Sequence, residues 1–179
     1  MRPAAQTFQQ RGGIDSGRDF LHLPAILKTE LRLLWPDEAA ARTTAERLAA
    51  VLHPAPDALI ELHGPLGAGK TTFVRLLLRA LGVEGRIKSP SYAVMEGYEL
   101  PGGTPASHFD FFRFGDPREW EDAGFRDIFA APGLKLCEWP EKAAGHLPAA
   151  DLQLFIEPMP DDSRRVRALG NPRLIEALK

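Results

Sequence analysis

Eight consecutive residues, Gly64-Pro-Leu-Gly-Ala-Gly-Lys-Thr71, carry the pattern G-x-x-x-x-G-K-[ST] of a phosphate-binding loop. Gly64 permits the turn out of the preceding apolar run. Gly67 and Gly69 let the backbone approach an anion, because they carry no Cβ. The loop's N–H groups and the N-terminus of the following helix then face the phosphates, where the helix dipole is positive. Lys70 can bridge the β- and γ-phosphates, and the Thr71 hydroxyl can ligate Mg²⁺.

A phosphate cradle does not complete a site. Hydrolysis also needs an acid on Mg²⁺ and a group that orients water. Open α/β sheets bind ligands at the C-terminal ends of their strands. Asp110, after His108-Phe109, and Glu138, after Leu134-Lys-Leu-Cys137, both fall at such ends; the alternative is an ordinary strand-end carboxylate or helix partner, and the P-loop favours the first reading. Ser89-Pro-Ser91 occupies the region where many P-loop proteins sense the γ-phosphate. Ser91 either meets the metal or its water, or bonds its own backbone in a Ser-Pro turn. Trp139 packs on the loop, gates the site or fills the core. His63 and His108 read as structural side chains, and Cys137 as an inert core thiol.

The elements that position these residues follow from periodicity. Glu30–Leu34 alternates as a strand. Pro36-Asp-Glu38 opens a helix, with proline in the first turn and Ala41, Thr44, Leu48, Val51 and Leu52 on one face. Leu59–His63 is the strand before the loop. After it, Val74, Leu77, Leu78 and Leu81 mark the core side of a helix that ends at Gly82. Ala93–Tyr98 and Ala106–Asp110 are strands joined too closely for a crossover helix, so they pair antiparallel. Asp116 caps a helix over Arg118–Ala123, and a short helix or turn follows at Gly124–Phe129. Leu134–Cys137, Leu152–Glu157 and Arg164–Ala168 are strands, and Pro172–Lys179 is a terminal helix. The alternation predicts a three-layer α/β domain with a mixed, mainly parallel sheet flanked by helices.

The 179 residues suit one domain over 29–179, preceded by a flexible N-terminal extension over 1–28 that carries little apolar pattern. A formal net charge of −2 gives no global footprint for binding DNA or RNA. Arg164, Arg165, Arg167 and Arg173 form a basic tail that reads first as a solvated face. The single cysteine excludes an internal disulfide. No run approaches the roughly 18 apolar residues of a membrane span, and no secretory signal is present. These features predict a soluble, cytoplasmic protein.

Taken together, Gly64–Phe73, Lys88-Ser-Pro-Ser-Tyr92, His108-Phe-Asp110 with Arg113, and Glu138-Trp-Pro140 closely resemble the TsaE (YjeE) family. These are bacterial P-loop ATPases needed for threonylcarbamoyladenosine modification of tRNA. The resemblance implies that Leu66, Gly67, Ala68, Gly69, Lys70, Thr71 and Thr72 hold ATP, and that Thr71 and Glu138 ligate Mg²⁺. It makes Asp110 the catalytic carboxylate, with Lys70 on the phosphates and Trp139 and Ser91 as functional neighbours. Glu38, Asp162 and Arg164 match regions that flank the nucleotide. The implied partners are TsaD and TsaB, with tRNA reached only through them, and the ATP cycle would reset that pair between turnovers. Ala41 and Ala45 stand where the family has Thr and Gly, and Pro65 where it has Asp. Two other readings use the same loop: a nucleotide-dependent assembly module, or a small-molecule phosphotransferase. The lack of an arginine-rich lid counts against the second.

Overall fold

The computed structural model describes residues 29–90 and 93–179; the expected N-terminal extension, together with Ser91 and Tyr92, lies outside the described residues. Strand β1 (Thr29–Trp35) leads into helix α1 (Glu38–Leu52). Asp37 caps α1: its backbone is extended and its carboxylate accepts the Ala40 N–H at 2.9 Å. Pro36 therefore lies outside the first turn, contrary to the sequence expectation, because a carboxylate cap needs the position just before the helix. Val51, expected on the core face, is only partly buried, while Ala45 and Ala49 are buried there.

Strand β2 (Ala58–His63) enters the glycine loop, and helix α2 (Lys70–Ala80) leaves it. Gly82, at φ +93°, closes α2: its N–H donates to Arg79 O at 3.0 Å and the next N–H, of Val83, donates to Leu78 O at 2.9 Å. Strands β3 (Met95–Glu99) and β4 (Pro105–Asp110) pair antiparallel as expected. The first begins two residues later than predicted. Val94 sits at φ +65°, a left-handed conformation that no strand accommodates.

The helix expected from Asp116 shrinks to α3 (Glu119–Asp122). Asp116 turns back on Arg118 instead, accepting its backbone N–H at 2.9 Å and its guanidinium at 2.6 Å. Gly124, at φ +72°, separates α3 from α4 (Arg126–Ala130). Strand β5 (Leu134–Glu138), a 3₁₀ turn at Pro140–Ala143, strands β6 (Leu152–Pro158) and β7 (Arg164–Gly170), and helix α5 (Pro172–Ala177) complete the described chain.

One seven-stranded sheet runs in the order β1-β7-β6-β2-β5-β4-β3. The central β6, β2, β5 and β4 pair parallel, and antiparallel pairs flank them on both sides. This is the mixed, mainly parallel sheet the sequence predicts. Helices α1 and α2 cover one face over an aliphatic core that includes Leu48, Ile60, Leu62, Leu77 and Leu78. Truncating any one of these to alanine costs about 2–5 kcal/mol. The opposite face packs Phe109, Phe111, Trp120 and Phe125 under the short α3 and α4. Among the described residues, no helix is long and apolar enough to cross a membrane.

Because β2, β5 and β4 are neighbours and parallel, their C-terminal ends share one edge. The loop after β2 is therefore brought beside the last residues of the other two, Glu138 and Asp110.

Candidate functional site

The glycine loop wraps tightly over that edge. Ala68 N–H donates to Pro65 O at 3.1 Å, and Gly67 and Gly69 hold left-handed φ values of +78° and +105°. At Gly64 a Cβ would collide with the carbonyl oxygen of Ile156 on β6, so only glycine lets the loop pass. Lys70, the first residue of α2, is buried. Its ammonium donates to the carbonyls of Gly64 at 2.6 Å and Pro65 at 2.9 Å and lies 3.9 Å from the centre of the Trp139 ring. Burial lowers its pKa, against the pull of Glu138, Glu141 and Asp110.

The carboxylates meet there because of strand register. Asp110 is paired with Glu138 across β4 and β5, and the two-residue repeat of a strand puts His108 on the same face as Asp110. Glu138 is almost fully buried. Its Oε2 accepts the Thr71 hydroxyl at 2.9 Å, and its Oε1 lies 2.8 Å from His108 Nε2. Asp110 accepts the Phe112 N–H at 3.0 Å. Burial raises its pKa above the usual carboxylate value, Phe112 opposes this, and the nearby Glu138 adds to it. The resulting hollow of about 350 Å³ is lined by Leu66 to Thr72, Asp110, Phe112, Arg113, Glu138 and Trp139. Trp139, in a left-handed conformation at φ +55°, packs on Phe112, with ring centres 4.9 Å apart. Leu66, at the loop tip, is 78% exposed.

A second hollow of about 180 Å³ adjoins the first and shares Ala68, Gly69 and Thr72 with it. It is lined by Trp35, Glu38, Ala41, Phe73, Asp162 and Arg164 among others. Trp35 stacks on Phe73 at 5.1 Å and donates its indole N–H to Thr44 Oγ1 at 3.0 Å. Arg164, the first residue of β7, donates from Nε to Ala68 O at 3.0 Å and also bonds the Asp162 carbonyl, tying the β6–β7 hairpin to the loop. Joined, the hollows reach the range of roughly 300–1,000 Å³ typical of small-molecule sites.

The structure thus brings together Leu66, Gly67, Ala68, Gly69, Lys70, Thr71, Thr72, Asp110, Glu138 and Trp139 in one hollow, and Glu38, Asp162 and Arg164 in its neighbour. Ser91 lies outside the described residues. Ala41 lines the second hollow, whereas Ala45 is fully buried in the core. Sequence reasoning missed Trp35 and Phe73. His108, read from the sequence as structural, is buried against Glu138. His63 points to the other side of the sheet, between Glu61 Oε2 at 3.2 Å and Glu141 Oε2 at 3.5 Å, stacked on Phe155. Burial pulls its pKa down, but hydrogen bonds to Glu141 and Glu61 outweigh that and raise it. Cys137 is buried, and its thiol is pushed up in pKa by that burial.

Among the described residues, no group of three or more His, Cys, Asp or Glu is disposed to hold a metal alone. The Thr71 hydroxyl and the Glu138 carboxylate, 2.9 Å apart, are hard oxygen donors. Such a sparse set suits Mg²⁺, which takes one or two protein ligands and completes its shell from phosphate and water.

The family described as threonylcarbamoyl adenosine biosynthesis protein TsaE matches residues 35–166. The tRNA threonylcarbamoyladenosine biosynthesis protein TsaE of Haemophilus influenzae is 37% identical over 142 residues, which cover 78% of this chain and 89% of that one. The Bacillus subtilis protein of the same name is 36% identical over 118 residues, covering 65% and 73%. The crystal structure of Bacillus subtilis YdiB superposes with a TM-score of 0.66 at 27% identity, over 85% of this chain and 93% of that one.

Proposed function

The chain belongs to the TsaE family, and from that premise we propose that it is a Mg²⁺-dependent ATPase acting in threonylcarbamoyladenosine modification of tRNA. The observation that carries the ATPase reading is the convergence of Lys70, Thr71, Glu138 and Asp110 around one glycine loop. A loop alone would bind phosphate. A loop faced by two carboxylates from adjacent strand ends can also hold a metal and orient water.

In this reading the loop N–H groups and the α2 N-terminus receive the phosphates. Lys70 exchanges the carbonyls of Gly64 and Pro65 for phosphate oxygens, and the ring of Trp139 limits where its ammonium can swing. Thr71 and Glu138 would hold Mg²⁺, which would supply charge neutralisation for the phosphates. Asp110 orients the attacking water and takes up its proton. The burial that raises its pKa brings a carboxylate closer to the range in which a base works near neutral pH. The adjoining hollow takes the base and ribose. Trp35 and Phe73 offer its apolar wall, and Asp162 and Arg164 its polar edge.

The implied partners are TsaD and TsaB, whose turnover the ATP cycle would drive in the cytoplasm, with tRNA contacted through them. Deletion of the gene tests this reading. Loss of the modified adenosine next to the anticodon, restored by the wild-type protein and not by Lys70→Ala, is the expected result. Undiminished modification in a strain with no substitute gene contradicts it.

A further inference from the structure

His108 is 0% exposed, and its ring makes one polar contact, from Nε2 to Glu138 Oε1 at 2.8 Å. Its other nitrogen, Nδ1, is buried with no hydrogen-bond partner. A space-filling residue at this position would leave no orphan. Leu136, its neighbour across the strand pair, fills the same layer with no polar atom at all. The imidazole therefore carries a cost that packing does not explain, and its one satisfied nitrogen is aimed at the carboxylate that faces Thr71.

Glu138 receives one donor on each oxygen: Thr71 on Oε2 and His108 on Oε1. Without the second donor, one carboxylate oxygen would be buried and unpaired, and the side chain would be free to rotate away from Thr71. We propose that His108 is a positioning residue for the metal site, donating from Nε2–H to fix the Glu138 carboxylate so that Oε2 stays on the Thr71 side. Such outer partners of a ligating carboxylate typically contribute about ten- to a hundredfold to metal affinity. The proposal rests on the Mg²⁺ reading of Thr71 and Glu138.

The test uses the full chain bound to a non-hydrolysable ATP analogue, with Mn²⁺ as the probe and its affinity read by electron paramagnetic resonance. His108→Leu removes the donor, and His108→Gln keeps an N–H at nearly the position of Nε2. The expected result is Mn²⁺ affinity about tenfold weaker in His108→Leu and within about twofold of wild type in His108→Gln. Affinity for the metal-free analogue should be unchanged in both. Wild-type Mn²⁺ affinity in His108→Leu overturns the proposal, and so does an equal loss in the two variants, which would make shape rather than the donor responsible. Should His108→Leu fail to fold, the ¹⁵N shifts of the ring in the wild-type protein decide instead. A proton on Nε2 with Nδ1 bare supports the proposal, and a proton on Nδ1 overturns it. Wild-type protein that binds the analogue but no Mn²⁺ overturns the metal reading itself, a failure visible before any variant is made.

Discussion

In the first hollow, where we propose the phosphates sit, the lining groups come from one unbroken stretch, Leu66–Thr72, and from the ends of two adjacent strands and the residues after them. In the second hollow, proposed for the base, they come from β1, α1, α2 and the β6–β7 hairpin, as Trp35, Ala41, Phe73, Asp162 and Arg164. The first end is built from backbone N–H groups and buried charge, so its geometry is set locally by glycines and strand register. The second is built from side chains that meet only once the sheet has closed. The loop's own contacts, Lys70 to Gly64 and Pro65, span only a few residues, and strand pairing alone adds Glu138 and Asp110 to it, whereas the second hollow draws on four separate elements. On this account the phosphate end governs rate and the base end governs affinity.

The largest expected effect is at Lys70. Lys70→Ala removes the cation aimed at the phosphates and should lower ATP hydrolysis about a hundredfold or more, measured as phosphate release. Near-normal hydrolysis would erase the distinction between the two ends.

Arg164→Ala probes the other end. Losing the charged hydrogen bond to Ala68 O should raise KM for ATP about tenfold and leave kcat within about twofold. A fall in kcat with KM unchanged would move Arg164 into the chemistry.

Asp110→Asn should raise the thermal midpoint. Burial holds the Asp110 pKa above its unfolded value, so the folded state keeps its proton more tightly. The ionised group then costs stability as pH rises from the ordinary carboxylate value through the raised one. The stabilisation by Asn should therefore appear at pH 7 and vanish at pH 3, by thermal melts at both. A variant less stable than wild type at pH 7 would show that Asp110 is paired more strongly than its single backbone contact indicates.

The smallest effect belongs to Glu38. Its side chain is exposed and turned to Arg42 at 3.1 Å, so Glu38→Gln should change ATP affinity less than about twofold by calorimetry. A tenfold change would make Glu38 a direct contact.

The same contrast explains what was legible in the sequence. The loop, the helix after it and the strand-end carboxylates were readable because each depends on local spacing. Glycine positions mark the turn, apolar residues at i, i+3 and i+4 mark α2, and short runs ending in an acid mark β4 and β5. The helix expected over Arg118–Ala123 forms but is shorter, Glu119–Asp122, because Asp116 turns back on Arg118 at its start. Pro36 falls two residues before the first helical position, Glu38, because Asp37 is the cap. Val94 carries a strand-forming side chain on a left-handed backbone, which composition does not reveal. The contact of His108 with Glu138, 30 residues away in sequence, could not be read from the sequence, because it depends on strand pairing. The stack of Trp35 on Phe73 was invisible for the same reason.

Asp110 decides the central claim, that these carboxylates turn a phosphate cradle into a hydrolytic site. ATP hydrolysis by Asp110→Asn, with Mg²⁺ and the TsaB–TsaD pair present, should fall about a hundredfold while binding of a non-hydrolysable analogue is retained. Hydrolysis at the wild-type rate in that variant would contradict the account.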